Sequence, residues 1–249
     1  MKALLCPNED TGMDSILTEL RKIRTPIVYD TIERLGVRSR SAGYSQPGVA
    51  CILPSLGAMV GYACTGKIAA EIPPAPGERQ VAQPDVWRYV GAARQPSVMV
   101  VQDMDQPPAR GCAWGDVAAS IMLRLGCVGA LTNGGVRDIR EVEALGFQLF
   151  AASQVVGHAY IRYVEINTPV KIGALVINPG DLLHGDEHGI VIIPNEVPLE
   201  ELVARCREFL ASEQVLIDYC AQPGFSVDEA ARQMEAHEQR ASRLWQKAD

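Results

Sequence analysis

Short apolar runs alternate with amphipathic stretches through most of this chain, and their spacing predicts its secondary structure. Residues 14–36 carry two helical patterns, and the second begins at Thr25-Pro26 and stops at Gly36. Thr25 is a favoured capping residue, proline is favoured in the first turn of a helix, and glycine is favoured just beyond its end. Residues 71–83 are rich in Pro, Gly and Ala, which predicts a loop long enough to act as a lid or an intersubunit contact.

The middle of the chain alternates between predicted strands and predicted helices. Residues 52–65 mix glycine with apolar residues, which predicts a strand, a turn and a second strand. Strands separated by single short helices imply βαβ units, a parallel sheet and right-handed crossovers. The predicted strands lie at residues 97–102, 129–132 and 148–152, and the predicted helices at 116–125, ending at Gly126, and at 138–145, ending at Gly146.

The last third of the chain has a different pattern. Residues 170–194 hold short β-rich runs separated by turns, which predicts a compact β-element beside the α/β unit. The chain after Pro194 is charged and helical, and residues 228–247 have few apolar positions, as in an exposed helix or a partner-contacting arm. The pattern predicts an α/β fold over residues 1–205 and a C-terminal helical extension over residues 206–249.

Composition and charge argue against several classes of function. The chain has 249 residues, 47% of them hydrophobic, and a formal net charge of −7, whereas nucleic-acid binders usually carry a basic face. No apolar stretch reaches the roughly 18 residues that a membrane helix needs. The N-terminal apolar run is also too short for a signal peptide. We therefore expect a cytoplasmic protein with no nucleic-acid partner and no membrane partner.

The cysteines show no pattern that indicates metal binding or disulfides. They are odd in number and scattered, and no CxxC pair occurs among them. We expect most of them to be reduced side chains buried as small hydrophobes. The seven are Cys6, Cys51, Cys64, Cys112, Cys127, Cys206 and Cys220.

Charged residues that are able to bind a metal ion or an anion lie at the predicted starts of two helices. Asp116 opens one helix, and Arg137-Asp138 opens the next, shortly after the strand at 129–132. Ligands of parallel sheets bind outside the carboxyl ends of the strands, where helix N-termini also present free N–H groups to an anion. Arg137 is suited to hold a carboxylate through two hydrogen bonds. Asp116 and Asp138 offer the hard oxygen ligands that Mg²⁺ or Mn²⁺ accepts.

These residues predict a site for a small carboxylate beside a divalent cation. Gly134 and Gly135 allow the backbone to approach such a ligand closely. A structural role for either aspartate stays open, because the helix dipole alone favours an aspartate at a helix N-terminus.

The lysines and histidines give weaker signals. Nothing in the sequence near Lys67 or Lys171 indicates an amine activated for Schiff-base chemistry. His184 and His188 flank Asp186 at a spacing that fits a metal, although the surrounding turn and strand favour a structural turn. His158 is expected in a helical stretch, and His237 among the solvated charges of the tail.

Asp116, twenty intervening residues and Arg137-Asp138 together resemble the D-X20-R-D signature of the 4-hydroxy-4-methyl-2-oxoglutarate/4-carboxy-4-hydroxy-2-oxoadipate aldolases. The resemblance covers roughly residues 25–195 and places the chain with the class II pyruvate aldolase and RraA-like family. That family has an α/β/β sandwich fold. Further motifs similar to the family are Thr25-Pro26 through Gly36, Gly61 to Thr65, Trp114-Gly115-Asp116, Asn178 to Asp181, and Asp186 to Pro194.

The resemblance implies a role for each residue of the signature. Asp138 would be the direct ligand of Mg²⁺ or Mn²⁺, with water completing the shell. Arg137 would hold the carboxylate or enolate oxygen of a 2-oxo acid. Asp116 would sit near the waters on the metal and position one that transfers a proton. The backbone N–H groups that follow Gly115, at Asp116, Val117 and Ala118, would face the substrate carboxylate.

The resemblance also implies an activity and an assembly. It implies a metal-dependent aldolase that forms pyruvate, with oxaloacetate decarboxylase activity, in a homotrimer or homohexamer with its site at the subunit interface. Glu200 and Glu201 are candidates for an acid supplied by a neighbouring subunit. Where many members have Asp-Gly before the variable residue and Arg-Asp, this chain has Asn133-Gly134, which could remove a charge near the site.

Two other functions stay open from the sequence. RraA-type relatives share the fold and bind a ribonuclease without being enzymes, although the presence of Asp116 favours the lyase. A third interpretation keeps the metal and the 2-oxo acid site but assigns another reaction, such as dehydration or hydrolysis of a sugar acid.

Overall fold

The computed structural model describes residues 11–244, with the side chains of residues 12–239. It contains seven α-helices within those residues. Each predicted helix of the central region is present within two residues of its expected bounds. The helices are α1 (Thr11–Leu20), α2 (Thr25–Leu35), α3 (Gln83–Gly91), α4 (Asp116–Arg124), α5 (Ile139–Leu145), α6 (Leu199–Cys220) and α7 (Val227–Leu244).

Thirteen strands lie between these helices in the described residues. The predicted strands at 97–102, 129–132 and 148–152 are confirmed as β3, β5 and β7, and each is almost entirely buried, as their apolar runs require. The strands are β1 (Ala50–Cys51), β2 (Met59–Ala69), β3 (Ser97–Asp103), β4 (Cys112–Trp114), β5 (Cys127–Thr132), β6 (Gly135–Val136), β7 (Gln148–Ala151), β8 (Ser153–Gln154), β9 (Arg162–Ile166), β10 (Val170–Ile172), β11 (Leu175–Ile177), β12 (Leu182–Asp186) and β13 (Gly189–Ile193).

The main sheet is mixed, with a parallel centre. Its order is β1-β7-β5-β3-β2-β12-β13, and β9 pairs separately with β2. The strands β2, β3, β5 and β7 run parallel, whereas β1, β9, β12 and β13 pair antiparallel with their neighbours. The observed fold is therefore the expected α/β class. The strands β4, β6 and β8 form a separate, parallel sheet, and β10 and β11 form a hairpin.

Three apolar clusters hold these layers together. One joins the parallel strands to α3, α4 and α5, through residues such as Val90, Met122 and Val142. A second joins the sheet to the β10–β11 hairpin. The third packs α1, α2 and α6 against β12 and β13. None of the helices in the described part of the chain is long and apolar enough to cross a bilayer.

The structure corrects the prediction for residues 170–194. Only β10 and β11 form a separate hairpin, because β12 pairs with β2 and carries β13 into the main sheet. The strand β12 was missed because its sequence, Leu-Leu-His-Gly-Asp, contains the polar and glycine residues of a turn. The pairing partners that bury it lie far away in the chain. The predicted boundary at residues 205 and 206 falls inside the continuous helix α6.

Three histidine predictions also need correction. His158 lies in the loop between β8 and β9, not in a helix. His184 lies within β12 and is fully buried, not in a turn. His237 is buried against Phe209, with Nδ1 2.5 Å from the hydroxyl of Ser212, so α7 packs on α6 through this residue. The tail is therefore less solvated at this position than its charged neighbours indicated.

The first residue of α2 differs slightly from the prediction. Arg24 takes the capping position, and Thr25 is already helical. The N–H of Thr25 instead donates to Asp186 Oδ2 across 2.7 Å, so a carboxylate from a distant strand caps the helix.

Candidate active site

Pairing of two very short strands brings the predicted site residues together. Trp114 of β4 lies beside Val136 of β6 in a parallel register, and the N–H of Arg137 donates to the Trp114 carbonyl across 3.0 Å. The two strands therefore end side by side. One continues through Gly115 into α4, which begins at Asp116, and the other continues through Arg137 and Asp138 into α5.

Asp138 is the centre of this group. Its Oδ2 atom lies 3.3 Å from Arg137 Nε and accepts a long hydrogen bond of 3.4 Å from the N–H of Asp116. Arg137 Nε is buried and makes an ion pair with Asp138 without donating a hydrogen bond to any described residue. The side chains of Arg137 and Asp138 remain 34% and 31% exposed, so solvent and small ligands reach them.

The backbone at Asp138 is held in an uncommon conformation. Its φ of 56° and ψ of 41° lie in the left-handed region at the residue that precedes α5. Aspartate tolerates this region better than most residues, but the conformation still costs on the order of 1–3 kcal/mol and is frequent at functional sites. The turn aims the carboxylate back toward Gly115 and away from its own helix.

Gly115 makes room for that carboxylate. A Cβ atom at this position would lie 2.3 Å from Asp138 Oδ2 and 3.4 Å from Arg137 Nε. Its backbone φ of −149° is available to any residue, so space and not conformation requires glycine here. The glycine of the Trp-Gly-Asp motif thus has a direct physical reason.

The two aspartates fit the donor set of a hard divalent cation. Asp116 Oδ1 accepts a hydrogen bond of 2.7 Å from the N–H of Val117, and Asp138 uses Oδ2 as described. The remaining oxygen of each carboxylate, Oδ2 of Asp116 and Oδ1 of Asp138, accepts no hydrogen bond from the described residues. Two open carboxylate oxygens beside a guanidinium match the oxygen ligands of Mg²⁺ or Mn²⁺.

The predicted backbone donors are only partly free. The N–H of Asp116 points to Asp138, and the N–H of Val117 points to the side chain of Asp116. A substrate carboxylate at the start of α4 would have to replace these acceptors or use the N–H of Ala118. The predicted glutamates, Glu200 and Glu201, are exposed in the first turn of α6, where Glu201 pairs with Arg205.

The loop after β8 supplies a contact that the sequence did not indicate. The Nη1 group of Arg137 donates to the carbonyl of Val156 across 3.3 Å, which holds the guanidinium from its far side. Val156 itself is 93% exposed, and its neighbourhood shows no pattern from which the contact could have been inferred.

Asn133, which stands where many family members have an aspartate, makes two hydrogen bonds to the backbone of Asp103. Its Oδ1 accepts from the N–H of Asp103 across 2.7 Å, and its Nδ2 donates to the Asp103 carbonyl across 3.0 Å. An amide satisfies both groups, whereas an ionised carboxylate only accepts. The departure from the family pattern is therefore explained by the fixing of β3 at its carboxyl end.

Four of the six described cysteines are buried, as small hydrophobes are. Burial raises the pKa of Cys64 to about 12 and those of Cys127 and Cys206 to about 11. Burial also raises the pKa of the Cys112 thiol, although nearby Arg137 opposes the effect. Cys51 is half-buried and Cys220 is exposed, while Cys6 lies outside the described residues. The thiols nearest the site are therefore protonated and weak nucleophiles.

A second group with metal-binding side chains is used for structure. Asp186, Glu187 and His188 place ligand atoms within 4.8 Å of one another. Both oxygens of Asp186 are already occupied, Oδ2 by the N–H of Thr25 and Oδ1 by the N–H of His188 at 2.9 Å and its Nδ1 at 3.0 Å. This cluster caps α2 and closes the β12–β13 turn, in agreement with the structural interpretation.

A cavity near the centre of the sheet edge does not coincide with the predicted site. It has a volume of about 360 Å³ and lies at the carboxyl ends of β3 and β5, and none of Asp116, Arg137 and Asp138 lines it. The predicted site is instead a shallow, partly exposed group of side chains. Its charged groups and open carboxylate oxygens, and not its depth, make it the candidate chemical site.

Two known proteins are similar to part of this chain. Protein DlpA of Legionella pneumophila subsp. pneumophila is 28% identical over 148 residues, which cover 53% of this chain and 24% of that protein. A Halalkalibacterium halodurans protein with the provisional name 4-hydroxy-4-methyl-2-oxoglutarate aldolase is 33% identical over 100 residues, covering 40% and 47%. The matched region thus spans half or less of these relatives' length.

Solved structures share the fold over nearly the whole chain. An uncharacterised protein of Pseudomonas syringae pv. tomato superposes with a TM-score of 0.68 and 25% identity, covering 92% of this chain and 99% of its own. RraAS2 of Streptomyces coelicolor, described as an unusual member of the RNase ES inhibitor RraA family, gives a TM-score of 0.62 at 19% identity, covering 86% and 98%. Finally, the RraA-like (Aldolase/RraA) family profile matches residues 25–192, and the chain belongs to that family.

Proposed function

We propose that this chain is a divalent-metal-dependent carbon–carbon lyase. It cleaves a 4-hydroxy-2-oxo acid by a retro-aldol reaction to pyruvate and a second carbonyl compound, and it also decarboxylates oxaloacetate. The observation that carries the proposal is the meeting of Asp116, Arg137 and Asp138 where β4 and β6 end side by side. The names of the aldolase relatives support the same reaction class.

Asp138 would be the direct ligand of the metal, Mg²⁺ or Mn²⁺, and Asp116 would lie beside the waters that complete its shell. Each has one carboxylate oxygen that is engaged within the chain and one that accepts no hydrogen bond from the described residues. When bound, the cation supplies a Lewis acid that polarises the keto oxygen of the substrate. Because Gly115 has no side chain, it leaves room for the Asp138 carboxylate in this position.

Arg137 binds the substrate's carboxylate and the negative charge that develops on the keto oxygen. Its guanidinium is held by Val156 on one side and by the Asp138 charge on the other, so its orientation is set before the substrate arrives. A donor prepared in this way lowers the barrier because it needs no rearrangement as charge develops.

Asp116 orients the water that accepts the proton of the substrate's 4-hydroxyl group. Aldol cleavage requires a base to take the 4-hydroxyl proton, and Oδ2 of Asp116 is available to orient a water for this step while Oδ1 is fixed by the N–H of Val117. Oxaloacetate has no 4-hydroxyl group to deprotonate. Decarboxylation therefore depends on Arg137 and Asp138 more than on Asp116.

The proposed enzyme works as a homotrimer or homohexamer with its site at the subunit interface. The exposed side chains of Val117 and Val156 flank the site, and an apolar rim of this kind is suited to cover by a second copy. Glu200 or Glu201 of that copy is the proposed acid that completes the site. Both are exposed at the start of α6.

The test is release of pyruvate from oxaloacetate and from 4-hydroxy-4-methyl-2-oxoglutarate, with Mg²⁺ and after treatment with EDTA. We expect release that requires the metal and falls about 10²–10³-fold in Arg137→Ala, because that variant loses a charge-stabilising donor. Arg140→Ala, an exposed arginine of α5, is the matched control and retains activity. Metal-independent release, or none at all together with tight binding to a ribonuclease, would overturn the proposal.

A further inference from the structure

We propose that the cavity at the carboxyl ends of β3 and β5 is a second binding site, for a small hydroxy-carboxylate such as an aldonic acid. We call it the β3–β5 cavity. Its polar lining comes from the ends of these strands, the loop before β1, the loop after β3, and β10. This proposal does not rest on the lyase activity. The polar lining residues are Gln46, Gln102, Asp103, Gln106, Asn133 and Lys171.

The position of the cavity is one that parallel sheets commonly use for ligands. Crevices outside the carboxyl ends of such strands collect loops that are free to vary while the sheet stays fixed. The volume of about 360 Å³ lies at the lower end of the range for small-molecule sites. It suits an acid of about four to six carbons and is small for a dinucleotide or a peptide.

The lining holds one acidic and one basic side chain, and the basic one supplies a partner for a ligand carboxylate. Lys171 is the single cationic side chain among the lining residues. No carboxylate of the described residues lies within ion-pair distance of it, and the residue is exposed at the cavity mouth. Its backbone N–H donates to Gln102 Oε1 across 2.8 Å, which fixes Gln102 and leaves that amide's NH₂ group as a donor.

The remaining polar groups favour hydroxyls on the same ligand. Side-chain amides both donate and accept hydrogen bonds, as hydroxyl groups do, and four of the six polar lining residues are Gln or Asn. No aromatic residue is found among the described residues of the lining, so the cavity lacks a surface for stacking a nucleobase.

Asp103 gives the cavity a rigid floor. It is 2% exposed, its Oδ1 accepts from the N–H of Asp105 at 3.0 Å, and its Oδ2 accepts from the N–H of Ala109 at 2.7 Å. Each oxygen keeps a further lone pair for a ligand hydroxyl. Because Asn133 also fixes the Asp103 backbone, this wall is formed before any ligand binds, which reduces the cost of ordering it.

The experiment is titration calorimetry with D-gluconate and D-erythronate in buffer with EDTA, which removes binding through a metal. We expect at least one acid to bind the wild-type chain and hexanoate, which lacks hydroxyls, to bind about tenfold more weakly. Lys171→Met should weaken the hydroxy acid by about tenfold or more through loss of a charged hydrogen bond. Lys22→Met, which removes a surface lysine paired with Glu19, is the charge-matched control and leaves binding unchanged.

Variants at the candidate active site separate the two proposals. Arg137→Ala should bind the acid as the wild type does, even if it loses all lyase activity. Gln102→Ala, confirmed as folded by circular dichroism, gives a second loss of binding if Lys171→Met unfolds. Binding of neither acid, or binding that Arg137→Ala abolishes and Lys171→Met retains, would overturn the second site and leave the lyase proposal unaffected.

Discussion

Asp138 and Asp186 both stand at the N-terminal end of a helix, yet the chain treats them in opposite ways. Asp186 is 3% exposed, and the N–H groups of Thr25 and His188 fill both of its oxygens with short hydrogen bonds. Asp138 is partly exposed, one of its oxygens makes only long contacts, and the other has no partner among the described residues. A carboxylate whose two oxygens accept hydrogen bonds from its own chain stabilises the fold, whereas a carboxylate with an open oxygen is available to a ligand.

The hydrogen bonds to Asp186 also change its pKa. Burial works to raise the pKa of Asp186, but the hydrogen bonds from Thr25 and His188 outweigh it and hold that pKa below the usual value. Burial lowers the pKa of neighbouring His184, which stays neutral with Nε2 donating to the Leu20 carbonyl and Nδ1 accepting from Thr25. Asp186 and His184 of β12 thus keep fixed protonation states, ionised and neutral respectively, within the core.

Substitution of Asp138 is expected to have the largest effect. Asp138→Asn should lower kcat/KM for pyruvate release by about 10³-fold, because the variant loses the carboxylate that holds the cation. The free energy of unfolding in urea should change by less than about 1 kcal/mol, since the carboxylate makes only long contacts. A large loss of stability with activity retained would place Asp138 in the same class as Asp186.

Gly115→Ala should have the next largest effect. The new methyl group would meet Asp138 Oδ2 at 2.3 Å and displace the carboxylate, and a shift of about 1 Å at a site can cost about 10²-fold in rate. The matched control is Gly157→Ala, where an added Cβ meets nothing closer than 3.9 Å. Steady-state kinetics of both variants would decide, and equal activities would remove the packing argument for Gly115.

Asp186→Asn should produce the reverse outcome, with stability lost and chemistry kept. The amide has one accepting oxygen in place of two, so the N–H of Thr25 or of His188 loses its acceptor in a buried place. We expect the free energy of unfolding to fall by about 1–3 kcal/mol. Urea denaturation beside Glu187→Gln, an exposed neighbour, provides the control, and a variant as stable as the wild type would contradict the assigned role.

The smallest effect concerns pH. The unfolded chain protonates His184 near the ordinary histidine pKa of 6.5, whereas the folded chain, in which burial lowers that pKa, does not. Stability is therefore complete above pH 6.5 and falls below it, by at most about 1.4 kcal/mol per pH unit. The Asp186 contribution is lost only below its unfolded value of 3.8.

Urea denaturation between pH 7 and pH 5 would measure the His184 effect. His184→Gln should remove most of the dependence on pH, and His188→Gln should retain it because that side chain is 47% exposed. An unchanged slope in His184→Gln would show that another group titrates.

Local signals in the sequence predicted the elements that depend on neighbouring residues. The helix from Thr25 to Gly36 has its own start and stop residues, and the buried strand β3 is an unbroken apolar run. The strand β12 could not be found in this way. His184 makes its hydrogen bonds to Leu20 and Thr25, which are 164 and 159 positions away in the chain. No local sequence pattern indicates partners at such distances.

The candidate site was only partly accessible to the same reasoning. Asp116, Arg137 and Asp138 were identified by residue type, and their expected meeting is observed. The strands that bring them together have only three and two residues, which is too short for any periodicity. The β3–β5 cavity was not predicted at all, since its lining comes from separate segments whose amides carry no motif.

The left-handed backbone at residue 138 restricts how the site can be altered. Asparagine and glycine accept this conformation, whereas alanine adds a steric cost of about 1 kcal/mol or more. An Asp138→Ala variant would therefore mix a backbone penalty with the loss of a ligand. A series of asparagine, glycine and alanine at this position would separate the two contributions.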